Sequence, residues 1–324
     1  MDIEHAADII RSGGLVAFPT ETVYGLGANA LSEEAVRSVY EAKGRPSDNP
    51  MIVHIAKMED MDSLVEGGSI RISPYAKQLA RKLWPGPLTM VFPKSENVPS
   101  VTTGGLDTVA IRMPFSQVAR DLIEAAELPI AAPSANLSGK PSPTTADDVL
   151  EDMDGKIDAV IMGEQCDVGI ESTVLDVTGD VPVILRPGIV TKEWLESVLG
   201  CEVRYDKSLL EGRPDEEGFK PMSPGMKYTH YSPNAKVRII EGDDDTFRTK
   251  AMELGVEAMR EGLRPAVLEY GKDAKKAAHK LFADLRELDR QGYDLILLRA
   301  LDREGEGFSV MNRMLKSAGY DVVK

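Results

Sequence analysis

A segment without regular hydrophobic spacing divides this sequence of 324 residues into two parts. Between Asp206 and Asn234, glycine and proline recur, and neither a helical nor a strand period is sustained. Because roughly 100–200 residues suit one domain, the length also fits two domains. The sequence therefore predicts a domain at 1–205, a linker at 206–234 and a second domain at 235–324.

Both parts have the pattern of an α/β domain. Before the linker, strand patterns at 15–18, 51–56, 88–92 and 109–113 mix crossovers with adjacent strands, which favours a mixed sheet. After it, strand patterns at 237–240, 266–270 and 295–299 alternate with helical patterns at 246–260, 274–290 and 308–318. This alternation predicts a small Rossmann-like, three-layer domain with a parallel sheet.

The composition argues against several classes of protein. The 53 acidic residues against 38 basic ones give a formal net charge of −15, which disfavours long-range attraction to a phosphate backbone. The 2 cysteines lie far apart and the 4 histidines lack zinc-ligand spacing, so we expect no protein-ligated metal. No segment reaches ~18 apolar residues and the N-terminus lacks a signal-peptide pattern, which predicts a cytoplasmic protein without membrane contact.

Two cations lie in KGRPSDNP, a stretch rich in helix-breaking residues. Lys43 and Arg45 follow a helix that Gly44 and Pro46 end. A lysine point charge and a forked guanidinium suit phosphate oxygens, which indicates a nucleotide site. The same cations also suit a solvated helix C-terminus, where they favour the helix dipole. Charge chemistry alone leaves both interpretations open.

Polar residues near other strands could complete such a site. Arg112 lies in an otherwise apolar strand and needs a carboxylate, from the protein or from a substrate. His54 alternates with Val53 and Ile55, so a sheet-face or core histidine is the default, and a pocket-facing role stays open. AAPSANLSGKPSPT leaves a strand end, where open α/β sheets bind ligands, although a polar surface loop would have the same composition.

A glycine pair follows the first strand. GLGANA matches the loose G-x-G-x-x-[GA] dinucleotide pattern, but 19–24 separates the strand from the glycines, so we treat the match as chance. We expect the glycines to be flexible and Thr20, Glu21, Thr22 and Tyr24 to lie near a small-ligand pocket. Ordinary turn chemistry at a strand end explains the same residues equally well. The sequence contains no P-loop.

Eight motifs in order resemble the threonylcarbamoyl-AMP synthases with a YrdC-like catalytic domain. They are PTETVYGLG, KGRPSDNP with MIVHI, WPGPLT, VAIRMP, APSANLSGKPSPT, ESTVLDV, ILRPG and SPGMKYTHYSP. Each motif alone is weak, but the ordered set covers nearly the whole chain. The resemblance implies an α/β fold with a YrdC-like twisted mixed-sheet domain, which has a large open cavity, and a small Rossmann-like domain.

The resemblance implies a nucleotidyltransferase reaction. L-threonine and bicarbonate would form a carbamate whose oxygen attacks the α-phosphorus of ATP, giving threonylcarbamoyl-AMP and diphosphate. Magnesium is expected with the triphosphate. The product would pass to the tRNA threonylcarbamoyl transferase machinery, for modification beside the anticodon, with direct RNA binding weak or absent.

The site residues of this family correspond to positions in the motifs. A signature of two cations, a serine and an asparagine around the phosphates corresponds to Lys43, Arg45, Ser134 and Asn136. The resemblance implies ATP contacts from Arg45, Asn49, Thr108, Ser134, Ser142, Arg186 and Tyr231. It implies threonine contacts from Thr22, His54, Arg112, Ala132 and Ser172, with Arg112 as partner of the carboxylate.

The linker of this family folds back over the pocket, which would bring Lys227, His230 and Tyr231 to the substrates. A closing segment excludes water, and a mixed-anhydride product needs that protection from hydrolysis. We expect a chain without 223–233 to fold and to be nearly inactive.

Two other classes of protein are alternatives. A nucleic-acid-binding module would use a basic concave face, but the net acidity and an aromatic content of 6% weaken this reading. A related carbamoyl-transfer domain of hydrogenase maturation would act on carbamoyl phosphate. That class is expected to have zinc-binding cysteines and a much longer chain.

Overall fold

The structure is a computed structural model that describes residues 2–210 and 231–324. In the first unit the helices are α1 Ile3–Arg11, α2 Glu33–Lys43, α3 Pro74–Leu83, α4 Gln117–Ala126, α5 Ala146–Met153, α6 Lys192–Leu199 and α7 Lys207–Leu210, with a 3-10 helix at Met58–Ser63. Its strands are β1 Val16–Phe18, β2 Gly25–Asn29, β3 Ile52–His54, β4 Leu88–Pro93, β5 Thr108–Arg112, β6 Ile130–Ala131, β7 Ala159–Val160, β8 Thr173–Asp176, β9 Val183–Arg186 and β10 Arg204–Tyr205.

The second unit lies after the linker. Its elements in chain order are β11 Lys236–Ile240, α8 Asp244–Arg260, β12 Pro265–Leu268, α9 Ala274–Arg290, β13 Leu295–Arg299, α10 Glu306–Ser317 and β14 Val322–Val323. The predicted alternation of strands and helices is confirmed, and the short β14 is an addition that the sequence pattern did not indicate.

Side-chain caps explain where most of these helices begin. A hydroxyl at the N-cap accepts a hydrogen bond from the backbone N–H three residues on at Ser32, Ser73, Ser116, Thr145 and Thr191. Such bonds satisfy one of the N–H groups that a helix start leaves without an intrahelical partner. At the other end of α2, Gly44 has φ 60°. This left-handed conformation ends the helix and turns the chain at Lys43.

The ten strands of the first unit form one mixed sheet in the order β10-β9-β8-β4-β5-β3-β6-β2-β1-β7. The pairs β3·β5 and β4·β8 are parallel, whereas β4·β5, β3·β6 and β1·β2 are antiparallel. The predicted mixed sheet is therefore confirmed. Its middle strands come from distant parts of the chain, so their side chains meet across one face.

The glycine pair that we expected to be flexible is part of strand β2, and that prediction is wrong. β2 lies between β1 and β6, and both glycines are buried. A Cβ on Gly27 would lie 2.8 Å from the Phe18 ring and 2.8 Å from Ile130. Glycine is therefore needed for close packing against Phe18, and it does not form a phosphate-binding turn.

The second unit is a three-layer α/β domain, as predicted. Its strands are all parallel, in the order β12-β13-β11-β14. On one face α8 packs Phe247 and Ala251 against Leu295 and Leu297. On the other face α9 and α10 pack against Ile296 and its neighbours. Both faces of the sheet are thus covered, as parallel sheets require.

The helices α9 and α10 also pack against the first unit. Arg286 on α9 forms an ion pair with Asp152 at 2.7 Å, and its guanidinium donates to the carbonyl of Pro141. A Cβ on Gly169 would lie 2.4 Å from the carbonyl of Ala278, so glycine permits the close approach of α9. The second unit therefore lies directly behind the loops that follow β6 and precede β8.

Candidate active site

An open cavity lies over the middle strands of the large sheet and contains about 720 Å³ of space, solvent at its mouth included. It is lined by Thr20, Thr22, Val23, Tyr24, Gly25, Lys43, Arg45, Ile52, His54, Arg112, Ala132, Pro133, Ser134, Asn136, Ser138, Gly139, Lys140, Glu171, Ser172, Arg186 and Tyr231. The lining combines strand ends with the loops that follow β1, α2 and β6. These are the regions where the sequence placed its polar motifs.

Strand register produces a row of polar side chains, of which Arg112 and His54 line the cavity and Thr89 lies beside Arg112. Thr89 on β4 lies opposite Arg112 on β5, and His54 on β3 lies on the other side of Arg112. All three are buried, at 0%, 3% and 4% exposure. Because strand side chains alternate, Val53 and Ile111 point to the opposite face and join the hydrophobic core. The prediction that His54 faces away from Val53 and Ile55 is confirmed.

One end of the cavity is built around Lys43, which is only 2% exposed. Its Nζ donates to the backbone carbonyls of Ser134 and Asn136. Burial lowers the pKa of this ammonium well below 10.5, and the nearby Arg45 lowers it further. The two walls that the sequence indicated separately, KGRPSDNP and APSANLSGKPSPT, therefore meet at this side chain.

The loop after β6 is held in shape by Asn136. The Asn136 amide nitrogen donates to the carbonyls of Leu137 and Lys140, at 2.7 and 2.9 Å, and its oxygen accepts from the hydroxyl of Ser134. Arg45 approaches from the opposite side, where its Nη2 donates to the carbonyl of Pro50 at 3.1 Å. This end therefore presents two cations and a hydroxyl around one space, a combination that suits phosphate oxygens.

The other end of the cavity is built around Arg112. Its Nη2 lies 2.6 Å from Oε1 of Glu21, its Nη1 donates to the hydroxyl of Thr22 at 2.9 Å, and its Nε donates to the carbonyl of Gly86 at 3.2 Å. The sequence analysis left the carboxylate partner of Arg112 open. In the structure a protein carboxylate contacts it, and that carboxylate does not line the cavity.

His54 is a neutral residue beside this arginine. Burial lowers the pKa of His54 to about 3, and the charge of Arg112 acts in the same direction. Its Nδ1 has no hydrogen-bond partner in the described ranges. A buried ring nitrogen without a partner beside a cavity is available to a ligand.

The hydroxyl of Ser172 joins two sides of the floor. It bonds the hydroxyl of Thr89 at 2.8 Å and accepts from Nη2 of Arg186 at 3.1 Å. Burial lowers the pKa of Arg186 to about 10, although the charge of Glu171 opposes this. Ser172 and Arg186 thus extend the polar floor toward the second unit.

The second unit reaches the cavity wall through Arg313 on α10, which is fully buried. Its Nε donates to Oε2 of Glu171 at 3.1 Å, and Oε1 of Glu171 accepts from the hydroxyl of Ser142 at 2.5 Å. Burial opposes ionisation of Glu171, but Arg313 and Arg186 outweigh it, so the pKa of this carboxyl lies below its usual value. The wall therefore depends on both units.

Tyr231 lies where the described chain resumes, within the segment predicted as the linker. It lines the cavity, is 6% exposed and stacks on Phe282 of α9 with ring centroids 5.0 Å apart. Burial raises the pKa of its hydroxyl to about 12, with Glu171 adding to the effect. The other predicted lid residues, Lys227 and His230, lie outside the described residues.

Most residues predicted for the site line one cavity. These are Thr22, Lys43, Arg45, His54, Arg112, Ala132, Ser134, Asn136, Ser172, Arg186 and Tyr231. Three predicted ATP contacts, Asn49, Thr108 and Ser142, do not line it. Asn49 is buried with both side-chain polar atoms unpaired among the described residues, and Ser142 bonds the wall residue Glu171. The ligand contacts of all these residues stay predictions.

Glu171 and Arg313 were not predicted for the site, and Glu21 was expected near a pocket but not as the partner of Arg112. Glu21 stood within the quoted motif PTETVYGLG, and the isolated Arg112 required a carboxylate, so pairing the two was within reach of the sequence. Glu171 lies two residues before the start of β8. Arg313 occupies the apolar face of a helix, beside Val310 and Met314, and a charge at such a position indicates a buried partner.

Within the described ranges, no group of three or more His, Cys, Asp or Glu side chains is arranged to hold a metal ion. In the same residues, no helix has the length and apolar character needed to cross a membrane. Glu171 is the carboxylate on the cavity wall, and its oxygens already accept from Arg313 and Ser142.

The fold and the cavity together define a class of protein, an α/β enzyme that binds an anionic small molecule over a mixed sheet. Two family models match the chain, one described as Telomere recombination over residues 8–188 and one as Threonylcarbamoyl-AMP synthase, C-terminal domain, over 190–319. Together they cover most of both units.

Curated proteins of high similarity have one name. The threonylcarbamoyl-AMP synthase of Pyrococcus abyssi is 49% identical, over 99% of this chain and 95% of its own length. That of Bacillus subtilis is 43% identical, over 99% and 94% of the two chains, and that of Schizosaccharomyces pombe is 38% identical, over 98% and 88%. The chain belongs to the threonylcarbamoyl-AMP synthase family.

Solved structures agree with this placement. The crystal structure of P. abyssi Sua5 complexed with L-threonine matches with a TM-score of 0.92 at 49% identity, over 99% of this chain and 95% of that one. E. coli YciO matches 57% of this chain and 88% of its own with a TM-score of 0.51 at 22% identity, which shows a shared fold. The predicted fold, a YrdC-like unit joined to a smaller α/β domain, is confirmed.

Proposed function

We propose that this protein is an L-threonylcarbamoyladenylate synthase, which forms threonylcarbamoyl-AMP and diphosphate from L-threonine, bicarbonate and ATP. The observation that carries the proposal is a cavity with cations at both ends, where Arg112 is paired with a carboxylate, in a chain that matches such synthases over nearly its full length. One end has Lys43 and Arg45, and the other has Arg112 with neutral His54.

The reaction divides between these two ends. At the Arg112 end, the carboxylate of threonine would bind, and its amine would combine with bicarbonate to give a carbamate and water. The carbamate oxygen would then attack the α-phosphorus of ATP, and the bond to diphosphate would break. At the other end, Lys43, Arg45, Ser134 and Asn136 would position the phosphates, and the two cations would balance their charge, which supplies much of the catalysis in such transfers. Asn49, Thr108, Ser142, Arg186 and Tyr231 would make further ATP contacts.

We infer that magnesium enters with the triphosphate as part of the substrate, because Mg²⁺ usually keeps several waters and binds substrate phosphates. The product would pass to the tRNA threonylcarbamoyl transferase machinery in the cytoplasm, without strong RNA binding by this chain. The unit at 1–205 would be catalytic, since β10 belongs to the large sheet, and the segment at 206–234 would close the cavity.

The test is product analysis by mass spectrometry after incubation with ATP, ¹³C-bicarbonate and each amino acid in turn. We expect an AMP adduct that contains the ¹³C label and forms with threonine, with one diphosphate released per adduct. Adducts that do not depend on threonine, or that lack the label, would refute the proposal. Salt-dependent RNA binding tighter than ATP binding would favour the nucleic-acid-binding alternative.

A further inference from the structure

The proposed reaction gives no role to Glu21, the carboxylate that forms a buried ion pair with Arg112. Glu21 is 8% exposed and Arg112 is 3% exposed, so both charges are taken out of water. A buried ion pair adds little net stability, because the loss of hydration offsets most of the attraction. The fold alone therefore gives little reason to place this pair beside a ligand cavity.

The position of Glu21 separates it from the groups that face a ligand. Arg112 lines the cavity, whereas Glu21 does not, although its neighbours Thr20 and Thr22 do. Glu21 contacts the guanidinium through Oε1, and its Oε2 accepts a long hydrogen bond, 3.4 Å, from the backbone N–H of Ser116. The carboxylate is thus anchored behind the arginine, at the start of helix α4.

Two hydrogen bonds fix the plane of the guanidinium, from Nη1 to the Thr22 hydroxyl and from Nε to the carbonyl of Gly86. Oε1 of Glu21 lies 2.6 Å from Nη2 as an ion-pair contact without hydrogen-bond geometry, so it adds a charge that attracts this corner of the fork. The Thr22 hydroxyl is itself fixed by the hydroxyl of Thr20 at 2.8 Å. Because a guanidinium has five N–H groups in a rigid fork, contacts at Nε and Nη1 also fix the direction of its remaining N–H groups, and Arg112 lines the cavity.

We propose that Glu21 is a positioning residue, which orients the guanidinium of Arg112 toward the carboxylate of the amino-acid substrate. This inference rests on the proposed function. Two effects of Glu21 oppose each other. Its negative charge reduces the attraction of Arg112 for a carboxylate, whereas its contact holds the fork in the productive direction. Bidentate recognition depends strongly on direction, so the second effect decides the outcome.

The experiment is steady-state kinetics of Glu21→Gln, which keeps the shape and one acceptor oxygen but removes the charge. We expect the KM for threonine to rise about tenfold, with the KM for ATP within twofold of the wild type. In an Arg112→Met background, Glu21→Gln should change the threonine KM by less than twofold, because no guanidinium remains to orient. Glu21→Asp should restore part of the threonine affinity.

A matched control is Asp148→Asn, which removes another buried carboxylate of an ion pair, with Arg290 at 3.0 Å, away from the cavity lining. It should leave the threonine KM within twofold. Thermal melting with saturating ATP checks that each variant is folded. If Glu21→Gln does not fold, Glu21→Asp alone decides: an unchanged threonine KM would overturn the inference.

Several results would contradict the positioning role. A lower threonine KM in Glu21→Gln would mean that the charge of Glu21 matters more than its contact. Equal increases in the KM values for threonine and ATP, or the same increase with and without Arg112, would also overturn it. These outcomes differ from failure of the proposed function, in which the wild-type protein itself would form no threonine-dependent product.

Discussion

The buried cations at the two ends of the cavity have different kinds of partner. The hydrogen bonds of the Lys43 ammonium go to neutral backbone carbonyls, those of Ser134 and Asn136. The guanidinium of Arg112 lies against the carboxylate of Glu21. Lys43 therefore has attraction to spare for a ligand anion, whereas much of the charge of Arg112 is balanced and its direction is fixed.

This difference indicates two ways to prepare a site for anions. A buried ammonium with little balancing charge opposes folding. Burial and then Arg45 disfavour the charge of Lys43 and lower its pKa, and the nearby carboxylate of Asp152, which opposes this, is itself paired with Arg286. A polyphosphate can supply the missing counter-charge. A single carboxylate has less charge to offer, so its recognition depends more on geometry, which the Glu21 contact provides.

The largest loss of activity that we predict is at the Lys43 end, the uncompensated end, where the ammonium donates to neutral backbone carbonyls. Lys43→Met should lower kcat/KM for ATP by roughly 10³-fold, because charge neutralisation is much of the catalysis in phosphate chemistry. The fold should lose little stability, since removal of the buried charge offsets the two lost hydrogen bonds. Kinetics and thermal melting test both parts. Arg37→Met on the same helix is the control, since that side chain is 58% exposed; an equal loss of activity there would contradict the charge argument.

At the Arg112 end, the compensated end, where Glu21 balances the cation, we expect mainly a loss of stability. Arg112→Met leaves the Glu21 carboxylate buried without its partner, and breaking a buried pair in this way costs about 3 kcal/mol of stability or more. The threonine KM should rise far more than the ATP KM. Urea unfolding and kinetics measure the two effects. Adding Glu21→Gln should recover stability without recovering threonine affinity, and a double variant no more stable than Arg112→Met would show that the lone carboxylate is not the cause.

Much of the fold follows from local sequence signals. Hydroxyl caps, proline at the first helical position and Gly44 mark the helix ends, and the helix predicted at 274–290 has the observed bounds. The error at Gly25 and Gly27 has a physical cause. A glycine-rich strand lacks the β-branched residues that identify strands. Glycine is needed here because the Phe18 ring packs closely against the strand, and a local sequence pattern does not encode such a contact between elements.

The sequence predicted those site residues whose charge or polarity was visible in a loop or at a strand end. Lys43 and Arg45 were visible as cations in a loop, but only the tertiary contact with the loop of Ser134 brings the two walls together. Glu171 and Arg313 meet across the two units, 142 residues apart in sequence. Nothing in the local sequence of either residue specifies that contact, because it depends on how α10 packs against the first unit.

The pH dependence of ATP binding should distinguish the two cations. Phosphates favour the charged form of Lys43, so its pKa is higher with ATP bound than in the empty cavity, where burial lowers it. Between these two pKa values, the KM for ATP should increase with pH, by up to about tenfold per pH unit. Lys43→Arg, with a guanidinium that stays charged, should show a flatter profile. The KM for threonine, which depends on Arg112, should not share this increase.

The smallest effect we predict concerns His54, whose pKa of about 3 in the folded protein lies below the ordinary value of 6.5. Between pH 7 and pH 5 the unfolded chain gains a proton there and the folded protein does not, so stability falls with decreasing pH. At 1.36 kcal/mol per pH unit, this contribution is roughly 2 kcal/mol.

His54→Gln should remove that slope, whatever constant change in stability the substitution introduces. Urea unfolding at pH 7, 6 and 5 measures it, and His5→Gln on the exposed face of α1 is the control. An unchanged slope in His54→Gln would mean that the imidazole gains a proton in the folded protein as readily as in the unfolded chain, and is therefore charged at pH 5. A charged imidazole beside Arg112 would be a second cation at this end, which would remove the contrast between an uncompensated lysine and a compensated arginine.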